Sequence, residues 1–543
     1  MKKKNGEIII NKNIEKFVKI ILAISTPFLT VLLSNRFPIK HIFIGACLSF
    51  IVFSCIIFKK IKIEKINIKK MLLVLYISLY TINIFLSFSN QNIVLFQKVF
   101  TLLFNLNVSA NFIQGISGLM TVPSVVFFIY LFIEKMSKYI NTFLKKLTNN
   151  EKKYLIIMAV ISIVVVVFVT YNTTAFTKPF HANKLEIYDV LYTSDTGVLT
   201  YENAYLNTSH EQNDIRQPLF GVFSLPFAIV AKIISDVCFF LPQNFKYEIV
   251  LTIIQFLLTT ITTIMVGKIL DLKEKDKKYL YLLFSCSFPY ILFNLVLEQY
   301  VIGLFYLILT IYIYTLNKYE INYMYIGAVG TMLTSGIIFP VITKFKNLKQ
   351  WLKNVLKCFF TLISILIISG QFPQLFTGLG KLNYLTNSFA GKITFSDKII
   401  QFTHFVKGIF ISEQGDFKIL NGHPSYQLIE FDSVSIIGII IVVLIVISFI
   451  LNRKNKIARI SFLWVLFSVC ILLLFGWGAQ ENGFILYSLY FAWAYLILYF
   501  LLLKRVIKNR KIFVVILLIS IMIMLVCNIN EIINVFRFAL KYY

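Results

Sequence analysis

Acidic side chains are scarce in this chain: 25 aspartates and glutamates stand against 53 lysines and arginines, and charged residues of either sign make up 14% of 543. A soluble chain would carry about 25% charged residues, so a water-exposed globular body is excluded. Cysteine is equally sparse. The seven (Cys47, Cys55, Cys238, Cys286, Cys358, Cys470, Cys527) are scattered, nearly all within apolar runs, and none forms a C-x-x-C pair. That argues against a disulfide framework and against a thiolate metal cluster. His181, His210 and His423 are isolated. No H-E-x-x-H, Walker A, G-x-S-x-G or G-x-G-x-x-G in a credible context is present, which removes the commonest zinc, nucleotide and serine-hydrolase chemistries. No internal repeat is evident, so the inverted-repeat signature of many transporters is missing.

What is present is apolar. Hydrophobic residues make up 58% of the chain and mean hydropathy is +0.79. Runs near twenty residues recur, each able to cross a bilayer as a helix. The expected fold is an all-α polytopic membrane protein, a bundle of about 11–15 transmembrane helices with outer-face juxtamembrane helices. Four spans are expected near 17–35, 40–58, 71–89 and 113–133, the first of them uncleaved. Segment 92–105, apolar but short, reads as an interfacial helix. A fifth span at 154–171 leads to a polar loop. The stretch 218–242, broken by Pro218, Pro226 and Pro242, reads as juxtamembrane helices along the outer surface. Later spans fall near 247–268, 279–298, 299–316, 358–372, 434–452, 460–476, 483–503 and 512–528. Between them, 322–343 reads as two short helices with a turn near Ser335.

The formal net charge of +28 lies in short loops between spans, as the positive-inside bias requires. It faces anionic lipid rather than forming a nucleic-acid groove. Lysine-, isoleucine- and asparagine-heavy usage suits an AT-rich bacterium, and the bacterial cytoplasmic membrane is the expected location. The exception to the basic loops is residues 172–217. They hold Glu186, Asp189, Asp195, Glu202, Glu211 and Asp214 against Lys178, Lys184 and Arg216. An acidic loop among basic ones belongs on the extracytoplasmic side. With this threading the acidic loop, the Glu298 turn, the Ser335 turn, a long loop at 373–433 and the Glu481 turn all reach that face. A carboxylate near the bilayer is costly unless it faces a wet site, which singles out Glu298 and Glu481. A loop carboxylate there could deprotonate an acceptor hydroxyl. Asp195, flanked by small polar residues and a glycine, is the first choice, and Asp189 the second.

The order Ser194-Asp195-Thr196, then Arg216-Gln217-Pro218-Leu219-Phe220, then Leu297-Glu298-Gln299-Tyr300, then Glu481 to Ser488 resembles that of the C-type (GT-C) membrane glycosyltransferases. The resemblance covers about residues 154–503, and Gln217 departs from the usual histidine. It implies an N-terminal four-span extension (1–150), a catalytic membrane core (151–503) with outer loops 172–246 and 373–433, and a C-terminal span and tail (504–543). It implies transfer of a sugar from a polyprenyl-phosphate donor to a cell-envelope glycan or lipid-linked acceptor, by single inverting displacement with Asp195 as base. Arg216 would hold the lipid phosphate with paired hydrogen bonds, and His404 and Lys407 could serve the same end. Glu298, Tyr300, Glu481 and Ser335 would line the substrate site. No cofactor is required; a divalent cation between carboxylates such as Asp195 and Glu298 is the one that oxygen ligands could hold. The expected partners are the donor, the acceptor and membrane lipids, with no nucleic acid. A polysaccharide polymerase or ligase, or a transporter or flippase of lipid-linked saccharides, is the alternative.

Overall fold

The computed structural model describes the chain outside residues 1, 5–6, 10, 35, 62–64, 89–96, 99–100, 102–108, 183–188, 209, 211–213, 316–320, 339–347, 392 and 480–483. The protein is an all-α polytopic membrane protein. Among the described residues eleven helices are long and apolar enough to cross a bilayer, and Tyr300–Thr315 and Ile436–Asn452 are shorter apolar helices. Strands are confined to a small three-stranded sheet and one hairpin. The expected interfacial helix at 92–105 lies almost wholly outside the described residues.

The chain divides into two compact units. The first comprises residues 1–148, 204–225 and 352–379. Its helices Lys12–Leu33, Ile39–Lys60, Ile68–Ser87 and Ala110–Lys145 fall where hydropathy places them. Small hydroxyl residues let the first and last approach closely: Ser124 Oγ donates to Ser25 Oγ at 2.6 Å. In lipid, such close packing and interhelical bonds hold helices together, because burial of apolar surface gives no advantage there. Thr30 Oγ1 donates to the Ile368 carbonyl at 2.8 Å. Gly370, at φ +72°, has no room for a Cβ against Ser34 and Thr30.

The second unit comprises residues 149–203, 226–351 and 380–543. Ion pairs gather at one of its ends. There the fully buried Glu151 accepts from Lys268 at 2.7 Å and Lys277 at 3.1 Å, and Asp276 meets Lys504 and Arg510 at 3.0 and 3.5 Å. These groups mark the starts of Asn149–Asn172, Glu274–Ser285 and Arg510–Tyr542 and the ends of Lys246–Ile269 and Phe484–Val506. At the other end Lys178, just past Asn149–Asn172, pairs with Glu248 at 2.9 Å in the first turn of Lys246–Ile269. Both ends of the stretch 173–247 therefore lie on one side, so it crosses an even number of times. It holds one described helix of spanning length, Phe220–Val237. Unsatisfied non-helical backbone does not cross lipid, so this helix does not cross alone, in keeping with a juxtamembrane course for 218–242.

Three expectations are corrected. The expected span 279–298 is two helices, Glu274–Ser285 and Phe288–Leu295. Pro289 has no N–H to continue the ladder, and Asn528 Nδ2 takes up the Cys286 carbonyl at the break, at 2.8 Å or less. The long loop 373–433 is largely ordered structure: Gln374–Ala390, Phe395–Phe410 and a hairpin of Gly415–Leu420 with His423–Leu428. The hairpin turns at Asn421-Gly422, both at positive φ, the pairing favoured in two-residue turns. The last expected span, 512–528, is exceeded, because Arg510–Tyr542 is one continuous helix.

Gly438 in Ile436–Asn452 packs directly on the Thr403 carbonyl of Phe395–Phe410, leaving no space for a Cβ. Gly438→Ala should lower stability by about 1–3 kcal/mol. Gly380→Ala, which meets nothing within 4 Å, should leave stability unchanged or raise it by up to about 1 kcal/mol. Thermal unfolding midpoints in detergent compare the two.

Candidate functional site

The polar loop after Asn149–Asn172 reaches Asp195 through strained backbone. Asp189, Tyr192 and Thr193 adopt left-handed conformations at φ 58°, 51° and 60°. Each costs a non-glycine residue about 1–3 kcal/mol and persists only where its surroundings enforce it. Here the enforcement is visible. Tyr192 N–H donates to the Tyr426 carbonyl and Tyr426 N–H to the Val190 carbonyl, both at 2.8 Å, so the loop pairs with the hairpin. Gln427 Nε2 donates to the Asp189 carbonyl at 2.7 Å. Asp195 then opens the short helix Thr196–Tyr201, and its carboxylate makes no capping bond to that helix.

Glu298 meets this loop from the turn between Phe288–Leu295 and Tyr300–Thr315. Its Oε1 accepts the Asp195 N–H at 2.6 Å, across 103 residues of sequence, and its Oε2 accepts the Gln299 N–H at 3.0 Å. Thr196 Oγ1 donates to the Leu297 carbonyl at 3.0 Å, and Leu297 N–H to the Phe176 carbonyl at 3.1 Å. From within Lys246–Ile269, Gln255 Oε1 accepts the Glu298 N–H at 3.1 Å, while its Nε2 donates to the Phe293 and Val296 carbonyls at 2.8 Å. Gln255 lies nine residues in from Lys246, a rise of roughly 13 Å. The turn is thus recessed into the bundle, as non-helical backbone can be where it lines a polar site.

Glu298 is fully buried. Burial, then the neighbouring charge of Asp195, raises its carboxyl well above the ordinary carboxylate range, against the two amide bonds that favour ionisation; Asp189 adds to the rise. Two carboxyls so placed divide their roles, one held protonated while the other ionises. Asp195 is itself partly exposed. Tyr300, at the start of the next helix, is within electrostatic reach of both acids. Its ring packs against Tyr490 and Tyr487 at 5.0 and 5.8 Å. Asp189, Asp195, Glu298 and Tyr300 are therefore brought together.

The other expected residues sit elsewhere. His404 and Lys407 lie on Phe395–Phe410, both turned to Glu413, at 2.9 Å from His404 Nδ1 and 2.7 Å from Lys407 Nζ. His404 Nε2 is 3.0 Å from the Ser433 carbonyl and its ring stacks on Phe431. With Gln401, Glu413 and Ser488, His404 borders a small cleft. Ser335 is buried in the 3₁₀ turn Leu333–Ile337, its hydroxyl without a hydrogen-bond partner. Arg216 belongs to the first unit, where its Nε donates to Asp214 Oδ2 at 2.7 Å. Glu481 lies outside the described residues. No group of three or more histidine, cysteine, aspartate or glutamate side chains suited to a metal ion occurs among the described residues.

Sequence reasoning missed Gln255, Tyr192 and Glu531. Gln255 had a signal, as a lone amide inside an apolar span. Comparison with protein-family models, with characterised proteins and with solved structures finds no match for this chain.

A carboxyl with a raised folded pKa binds its proton more tightly in the fold. Its contribution to stability is complete below the unfolded value and is lost as pH rises through the folded one. Stability of the wild type should therefore fall as pH rises above the ordinary carboxylate range, and more steeply than in Glu298→Gln, which mimics the protonated form. Unfolding midpoints across that rise in pH check this; parallel curves would contradict it.

Proposed function

We propose that the protein transfers a sugar from a polyprenyl-phosphate donor to a hydroxyl of a cell-envelope glycan or lipid-linked acceptor. The observation that carries the reading is the pairing of Asp195 with the buried Glu298. It provides a partly exposed carboxyl group beside a buried acid whose proton affinity burial raises, recessed at one end of an apolar bundle. In the reaction the acceptor oxygen attacks the anomeric carbon and the Asp195 carboxylate takes its proton. The bond from that carbon to the phosphate oxygen breaks, and the electron pair leaves with the phosphate. One displacement inverts the anomeric centre. A neutral Glu298 leaves the negative charge on Asp195, where the base needs it. Phosphate is already a charged leaving group, so a separate general acid is less necessary.

The apolar bundle suits a donor whose lipid tail stays in the bilayer. Lys268, Lys277, Lys504 and Arg510 gather at the end away from Lys178 and Glu248. The positive-inside bias supports a cytoplasmic side for that end, and with it an extracytoplasmic one for Asp195. The ion pairs of this unit lie near helix termini, which favours an enzyme over an ion-coupled carrier, where charge is expected within the spans.

Asp195→Asn should cut transfer by about 100-fold or more, with the folded protein still in the membrane. Glycan profiles of producing cells carrying the wild-type or variant protein, with membrane levels matched, make the test. An unchanged profile would remove Asp195 as the base.

A further inference from the structure

Glu531 sits two-thirds of the way along Arg510–Tyr542, is 5% exposed, and touches no part of the Asp195–Glu298 pair in any hydrogen bond described above. Its Oε1 is the meeting point of three donors from three separate segments. Tyr192 Oη donates at 2.8 Å, Tyr426 Oη at 2.9 Å and Gly415 N–H at 2.9 Å. Its Oε2 accepts from Asn534 Nδ2 at 3.3 Å, from the next helical turn. Tyr192 is the first of the two left-handed residues that lead into Ser194-Asp195, and Gly415 and Tyr426 lie on the two strands of the hairpin that pairs with that loop. The Tyr192 ring is clamped edge-on between Phe288 and Tyr426, at 6.0 and 5.5 Å. Phe288 begins the helix that ends just before the Glu298 turn.

From this convergence we infer that Glu531 is a positioning residue for the Asp195 loop: its Oε1 ties Tyr192, the hairpin and the C-terminal helix together and so holds the strained backbone that presents Asp195. The strained segment is anchored at both ends. Glu298 fixes the Asp195 amide on one side, and Glu531 fixes Tyr192 three residues earlier on the other. An acceptor with three lines of donation is what two buried phenols and a buried amide require, since a buried donor without a partner is strongly disfavoured. A carbonyl oxygen in the same place can accept those bonds, whereas an alkyl group cannot. The catalytic consequence rests on the glycosyl-transfer reading; the mechanical one does not.

Hydrogen exchange of the full chain in lipid nanodiscs separates the two. In Glu531→Leu, amides of 189–195 and 415–428 should exchange about tenfold faster or more, while Lys246–Ile269 and Phe484–Val506 keep wild-type protection. Glu531→Gln should restore protection to within about threefold of wild type. Tyr192→Phe, a milder change, should speed exchange in 189–195 and keeps the test open if Glu531→Leu does not fold. The inference is overturned if 189–195 stays protected in both Glu531→Leu and Tyr192→Phe, or if protection is lost evenly across the unit. In a transfer assay Glu531→Leu and Tyr192→Phe should lower kcat with KM preserved, and Glu531→Gln should retain activity. Faster exchange with full activity in Asp195→Asn would keep the tether and discard the glycosyl-transfer reading; slow exchange with inactive Asp195→Asn would do the reverse.

Discussion

The Glu298 carboxylate accepting the Asp195 amide is the contact on which the polar end of the second unit depends. It joins a loop that follows one helix to a turn between two others, across 103 residues of sequence. Glu298 reaches that position because the chain breaks before Pro289, the short helix Phe288–Leu295 ends ahead of it, and Gln255 takes up the backbone of the turn that follows, at Phe293, Val296 and Glu298. A continuous helix through 279–298 would carry no such turn into the bundle. The electrostatic consequence follows from burial. A carboxyl with no exposure, beside a second carboxyl, has its proton affinity raised well above the ordinary range.

The surrounding structure separates two kinds of charge. At one end of the unit, acids are matched by lysines and arginine: Glu151 has two lysines and Asp276 has a lysine and an arginine. Those pairs lock helix termini and leave little for chemistry. At the other end Glu298 is held by backbone amides and faces Asp195, an arrangement that raises a proton affinity instead of neutralising a charge. The His404–Glu413–Lys407 group resembles the first kind more than the second, since Glu413 engages both His404 and Lys407. That geometry fixes Phe395–Phe410 against the segment that leads into the hairpin.

Much of this was legible in the chain. Apolar runs located most of the spans to within a few residues, because in lipid each backbone group must be satisfied within its own segment. Glu298 was singled out by the cost of a carboxylate near a bilayer and Asp195 by its small polar flanks and the order of motifs around it, and the structure brings the two together. What sequence did not reveal depends on distant partners. The C-terminal helix runs past 528: Asn528, the last residue of the expected span, is bonded to Cys286 and Phe410, and Glu531 beyond it to Tyr192 and Tyr426. The left-handed Tyr192 and Thr193 carry no local mark, since neither is glycine or asparagine and the hairpin imposes their conformation. The Asn421-Gly422 turn did carry a local signal, hidden by the expectation that 373–433 was loop throughout. Arg216, chosen for its place before a proline, is engaged by Asp214 two residues away.

The account turns on Glu298 keeping its proton near neutral pH while Asp195 gives its proton up. Infrared difference spectroscopy of the wild type against Glu298→Gln, in lipid at neutral pH, reads this directly. The account predicts a protonated-carboxyl stretch that vanishes in Glu298→Gln and titrates at lower pH in Asp195→Asn, where the neighbouring charge is gone. A carboxylate signal for Glu298 at neutral pH, unmoved by Asp195→Asn, would contradict it.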